Sequence, residues 1–103
     1  PYTDEIIAVR KRYAISAQKM SLILGIGVNQ YRLYEQGEVP SVSNGRIIRS
    51  IMNPKVMFDF LESSRNILED KDYQKIADKV KKEIADGEQR DINNIVLINY
   101  DEA

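Results

Sequence analysis

Three neighbouring side chains, Asn29, Gln30 and Arg32, carry groups that can form paired hydrogen bonds with the edge of a nucleic-acid base. An asparagine or glutamine amide donates and accepts together, which suits adenine, whereas an arginine guanidinium suits guanine or a phosphate. Val28 lies beside them and suits contact with a thymine methyl group, and Leu33 completes the set. Each of the five is also compatible with an ordinary solvated helix position. They predict a base-reading surface if a helix presents them together.

The apolar residues around this set predict two short helices joined by a turn. Ser16 is suited to cap a second helix that ends at Gly25, and Gly37 is suited to end a third helix over residues 28–36. The inner faces of the two helices carry Met20, Ile23, Leu24, Tyr31 and Tyr34. Ser21 is small, as a close crossing requires, and Gly25 can adopt a positive φ without a Cβ clash. Two such helices form a helix-turn-helix, in which the first helix braces the second in the major groove of DNA.

The rest of the chain also predicts helices. Helical periodicity indicates a first helix over residues 4–13, a fourth over 43–52 and a sixth over 70–85, which Gly87 should end. Asn53 and Pro54 are suited to begin a fifth helix. The apolar run at 95–98 fits strand or helix, and its β-branched residues favour a strand. The expected class is all-α, with a DNA-binding domain over residues 1–64 and a helical extension with a short tail over residues 65–103.

Composition and charge narrow the possible functions. The 103 residues, a length that suits one domain, include no cysteine and no histidine, so disulfides, thiol nucleophiles, imidazole bases and the usual zinc sites are absent from the sequence. We therefore expect that the protein is not an enzyme and that it binds neither a metal nor a cofactor.

The charge is distributed unevenly along the chain. Residues 1–55 contain eight Lys and Arg and four Asp and Glu, a net charge of +4, and residues 56–103 contain seven and twelve, a net charge of −5. This asymmetry is compatible with chance. It is also compatible with a basic surface that binds DNA, followed by an acidic segment that does not contact the DNA phosphates.

Targeting signals are also absent from the sequence. No apolar run approaches the roughly 18 residues that a membrane span needs, and the first residues lack a signal-peptide layout. We expect a soluble, cytoplasmic protein. Because the sequence begins with Pro1 and not with methionine, it is expected to be either a processed chain or a piece of a longer protein, and we favour the piece.

The central part of the sequence resembles the Xre, or lambda-repressor-like, helix-turn-helix family. The residues that carry the resemblance are Ile15, Ser16, Met20, Ser21, Leu24, Gly25, Ile26, Tyr31, Tyr34, Glu35 and Gly37. Over residues 6–51 the sequence is more closely similar to the C-terminal domain of MqsA-type, or YgiT-type, antitoxins. In those antitoxins a zinc domain with paired CxxC motifs precedes the helix-turn-helix; the absence of such a motif here fits a chain trimmed to its DNA-binding part.

The resemblance implies a lambda-repressor-like five-helix fold and roles for individual residues. It implies a salt bridge between Arg10 and Glu35, which would join helices one and three; the alternative is two solvated charges. Phosphate contacts are expected at the start of helix two, from Ser16, Gln18 and Lys19. Further phosphate contacts are expected around helix four, from Ser41, Ser43, Asn44 and Arg46. The sequence departs from the family at Ala17, where many members have a glutamine, and at Leu33, where many have a polar residue.

Two functions remain open at this point. The first is a sequence-specific repressor, antitoxin-like and autoregulatory, that binds an inverted repeat of double-stranded DNA as a homodimer and has a toxin as a possible second partner. The second is a protein-interaction module that keeps the scaffold but binds a protein through Val28, Leu33 and Tyr31. The basic N-terminal half favours DNA, whose binding must weaken steeply with added salt.

Two apolar stripes in the second half could provide the dimer surface. They consist of Met57, Phe60 and Leu61 on helix five, and of Tyr73, Ile76 and Val80 on helix six. Either one stripe covers the core of its own chain and leaves the other for a partner, or both pack on each other within one chain.

Overall fold

The computed structural model describes the backbone of residues 3–102 and the side chains of residues 3–94. Within this range the chain is helical and contains no strand, which confirms the all-α class. The helices are α1 (Thr3–Arg12), α2 (Ala17–Leu24), α3 (Gln30–Glu35), α4 (Val42–Ser50), α5 (Pro54–Ser63) and α6 (Asp70–Glu102). A single 3₁₀ turn, Arg65–Ile67, joins α5 to α6.

Local capping explains where α2, α4 and α5 begin. The Ser16 hydroxyl accepts a hydrogen bond from the Lys19 backbone N–H at 3.2 Å, and the Ser41 hydroxyl accepts one from the Asn44 N–H at 3.1 Å. Asn53 caps α5 in the same manner, with Pro54 as the first helical residue. Each cap satisfies an N–H that has no partner inside its helix. Helix α4 therefore begins one residue before the predicted Ser43.

The core joins α1 to α3 and α4 through buried tyrosines. The Tyr31 hydroxyl donates to the Ile6 carbonyl at 2.5 Å, and the Tyr13 hydroxyl donates to the Ile51 carbonyl at 2.6 Å. Both tyrosine side chains are fully buried. Because each buried hydroxyl has a partner, these side chains add apolar contact without an unsatisfied polar group.

Helices α5 and α6 pack on each other within the chain. The buried residues of this contact are Met57, Leu61, Tyr73, Ile76, Ala77 and Val80. Phe60 is partly buried against the same core. The second of the two interpretations of the apolar stripes is therefore correct, and neither stripe is open to a partner.

The predicted end of the sixth helix at Gly87 and the predicted strand over 95–98 were both wrong, because α6 continues to Glu102. A glycine inside a helix costs only about 1 kcal/mol, and Gly87 is not among the glycines with positive φ. It therefore does not end the helix. Although α6 has 33 residues, neither it nor any other helix in residues 3–102 is apolar enough to cross a membrane.

Candidate nucleic-acid interface

A tight turn connects α2 to α3. Gly25 adopts φ 65° and ψ 31°, and its backbone N–H donates to the Ser21 carbonyl at 3.0 Å, which ends α2. Gly27 has φ 114°, a conformation that an L-residue with a Cβ rarely adopts. Asn29 follows with φ 61°, so α3 begins at Gln30 and two residues later than predicted. The chain thus changes direction over five residues between the two helices.

A buried hydrogen bond attaches the start of α3 to α2. The Ser21 hydroxyl accepts from the Tyr31 backbone N–H at 2.9 Å. This N–H lies in the first turn of α3 and has no partner within the helix, and Asn29 makes no capping bond to it. Sequence reasoning found only the small size of Ser21. Its hydroxyl has the further role of fixing α3 against α2, while the Asn29 side chain is left for other contacts.

The structure places the five predicted base-reading residues in different settings. Arg32 and Leu33 are exposed on α3, and Asn29, which precedes the helix, is exposed as well. Val28 is 89% exposed, but it lies with Asn29 in the turn rather than in a helix. Gln30 is half-buried, and its amide donates to the Glu38 carboxylate. Four of the five are therefore exposed, and Gln30 is engaged with Glu38.

The ion pair between Arg10 and Glu35 is present in the structure. Arg10 Nε and Nη2 donate to the two Glu35 carboxylate oxygens at 2.5 and 2.8 Å, and Arg10 Nη1 also donates to the Ile15 carbonyl at 3.2 Å. The hydrogen bond to Glu35 is the main cause of a raised Arg10 pKa. This paired geometry ties α1 to α3 and neutralises the Glu35 carboxylate.

Several of the predicted phosphate contacts already have intramolecular partners. The Ser16 and Ser41 hydroxyls accept capping bonds, which leaves each able to donate its own proton. Asn44 Nδ2 donates to the Tyr34 hydroxyl at 2.8 Å and thereby attaches α4 to α3. Lys19 Nζ lies 3.2 Å from Asp72 Oδ1 on α6. One carboxylate from the acidic second half of the chain therefore lies beside an expected phosphate contact.

Three exposed arginines lie on α3 and α4. Arg32 on α3 and Arg46 on α4 are exposed and have no ion pair with any described residue. Arg49, which sequence reasoning missed, is one turn after Arg46 on the same exposed side of α4 and is likewise unpaired among the described residues. Its three-residue spacing from Arg46 was the available signal. Gln18 and Ser43 are exposed as well.

An apolar groove of about 500 Å³ lies beside α2 and the turn. Its lining includes Gln18, Leu22 and Val28, and Leu22 is 47% exposed. Sequence reasoning missed Leu22. Tyr31, which the protein-binding interpretation placed on this surface, is instead fully buried, so that part of the interpretation was wrong.

Comparisons with protein families, with curated proteins and with solved structures found no match for this chain. The surface is therefore interpreted from its own geometry and charge.

Proposed function

We propose that this chain is a sequence-specific DNA-binding transcriptional regulator in which α2, the turn and α3 act as a helix-turn-helix. The observation that supports this most is the buried bond from Tyr31 N–H to the Ser21 hydroxyl, which fixes α3 on α2. A reading helix must be held rigidly by a neighbour while its outer side stays open. Arg32 and Leu33 occupy that open side, with Asn29 before them.

The distribution of paired and unpaired charge supports the same function. Glu35 is neutralised by Arg10, whereas Arg32, Arg46 and Arg49 are exposed and unpaired among the described residues. Arginines in this state can contact phosphates and release counterions. Arg32 would lie at the base edges, and the two α4 arginines would contact the backbone that flanks the groove.

A short reading helix rarely supplies enough contacts alone, so the proposal includes a homodimer on an inverted repeat with half-sites roughly 34 Å apart. Since the stripes of α5 and α6 are buried, the dimer surface would lie elsewhere on the chain. Repression, an antitoxin-like autoregulatory role and a toxin partner rest on the sequence resemblance, and a cytoplasmic location is proposed with them.

A protein-binding module is the second candidate, and the groove favours it. Leu22, Val28 and Leu33 are large apolar side chains that stay exposed on or near α2 and α3. An exposed apolar patch is a common feature of protein interfaces. Binding through such a patch depends much less on salt than binding through arginines.

The test begins with selection of bound duplexes from a random DNA pool, followed by titration of the recovered sequence. Asn29→Ala combined with Arg32→Ala should weaken binding by roughly 2 kcal/mol or more, about 30-fold, because each base contact contributes about 1–3 kcal/mol. Arg90→Ala combined with Asn94→Ala is a matched control, because it removes the same residue types from exposed positions of α6. Equal affinities for the two folded double variants would contradict the assignment. Failure to enrich any duplex would favour protein binding.

A further inference from the structure

One ion pair connects the candidate DNA surface to α6. Lys19 Nζ lies 3.2 Å from Asp72 Oδ1, and the two side chains are 40% and 27% exposed. Lys19 also lines the groove beside Gln18 and Leu22. The Asp72 carboxylate, from the second half of the chain, therefore lies at the edge of the surface that would contact DNA phosphates.

Packing, rather than the ion pair itself, holds Asp72 in this place. The next residue, Tyr73, is buried and its hydroxyl donates to the Glu62 carboxylate, and Ile76 one turn later is buried as well. These contacts anchor the start of α6 on α5. Because a partly exposed ion pair contributes little to stability, a change of charge at Asp72 should leave this packing intact.

From this geometry we propose that Asp72 is an affinity-limiting residue of the DNA interface, acting as an internal counter-charge on Lys19. A phosphate that approaches Lys19 must displace the carboxylate and also meets its negative charge. Lys19 therefore contributes little to DNA binding while Asp72 is charged. The inference rests on the proposed function and adds to it a residue from outside the helix-turn-helix that sets its affinity.

The opposite role is also physically reasonable and gives the opposite result. A carboxylate can orient a lysine towards a phosphate, in which case its removal would weaken binding. The position of Asp72 favours competition, because its Oδ1 is already within ion-pairing distance of the ammonium group that the phosphate would need.

The experiment compares Asp72→Asn with Glu88→Gln on the selected duplex at several salt concentrations. Glu88 is a matched control because it pairs with Lys55 at 3.6 Å and its removal changes the net charge equally. We expect Asp72→Asn to bind about two- to fivefold more tightly at low salt, with a log–log salt slope steeper by about 0.9, as for one added phosphate contact. Lys19→Gln combined with Asp72→Asn should bind no more tightly than the parent, because the ammonium group that the gain requires is then absent.

Thermal unfolding of each variant checks that the fold is kept. Equal affinities and slopes for Asp72→Asn and Glu88→Gln, or weaker binding by Asp72→Asn, would overturn the role of Asp72 and leave the proposed function standing. If the parent and every variant bind no duplex, both proposals fall.

Discussion

Replacement of Gly25 by asparagine, alanine or valine should destabilise the chain increasingly in that order. At φ 65° and ψ 31°, no heavy atom other than its chain neighbours lies within 4 Å of an added Cβ, so the cost is conformational strain and not a clash. Alanine in this left-handed region costs about 1–2 kcal/mol, partly offset by about 0.4–1 kcal/mol of lost freedom in the unfolded chain. The expected net loss is about 1 kcal/mol for alanine, less for asparagine and about 2–3 kcal/mol for valine.

Thermal and urea unfolding of the three variants measure this series. For a domain of this size, 1 kcal/mol corresponds to about 4–8 °C in Tm, so the valine variant should melt about 10 °C or more below the parent. Gly87→Ala is the control, because it should have the opposite effect. Gly87 is inside α6, and apart from the backbone of its own helix an added Cβ would meet only Arg90 Nη2, at 3.8 Å. It should stabilise the helix by about 0.5–1 kcal/mol. A valine variant that melts with the parent would refute the left-handed turn.

Two further predictions concern stability at high pH and the role of α6. Burial raises the pKa of Tyr13 to about 12, above its ordinary value of 10. The neutral Tyr13 side chain should therefore stabilise the fold fully below about pH 10, and this stabilisation should be lost as the pH rises from there to about 12. Chemical unfolding at pH 9 and pH 11 gives the free energy of unfolding at each pH. Between the two, this free energy should fall less for Tyr13→Phe than for the parent, and an equal fall would contradict the prediction. Truncation after Ser64 should abolish cooperative unfolding, because it uncovers Met57 and Leu61, whereas truncation after Gly87 should keep it. Native-like melting of the shorter chain would show that α6 is dispensable.

The positions of the first five helices could be predicted because their signals are local. Ser16 and Asn53 are capping residues whose side chains bond to the backbone two or three residues later. Gly25 ends α2 through its own conformation. Such interactions involve only nearby residues, so residue type and spacing were enough to place them. The start of α3 was misplaced because the sequence does not show that Asn29 adopts a positive φ.

The end of α6 could not be predicted in this way. Gly87 looked like a stop signal, and a run rich in β-branched residues looked like a strand. Both are weak preferences of about 1 kcal/mol or less per residue, and an established helix can extend through them. A glycine ends a helix when it adopts the left-handed conformation, as Gly25 does and Gly87 does not.

For the candidate interface, sequence spacing identified the residues but not their partners. Gln30 and Lys19 both have the right chemistry and both lie on the expected elements, but one bonds to Glu38 and the other pairs with Asp72. These partners are brought close by the loop after α3 and by the docking of α6, which depend on packing that spacing does not encode. The cations left open lie on α3 and α4. Under the DNA-binding proposal, the strongest phosphate contacts should therefore come from the Arg46 side of the surface and not from α2.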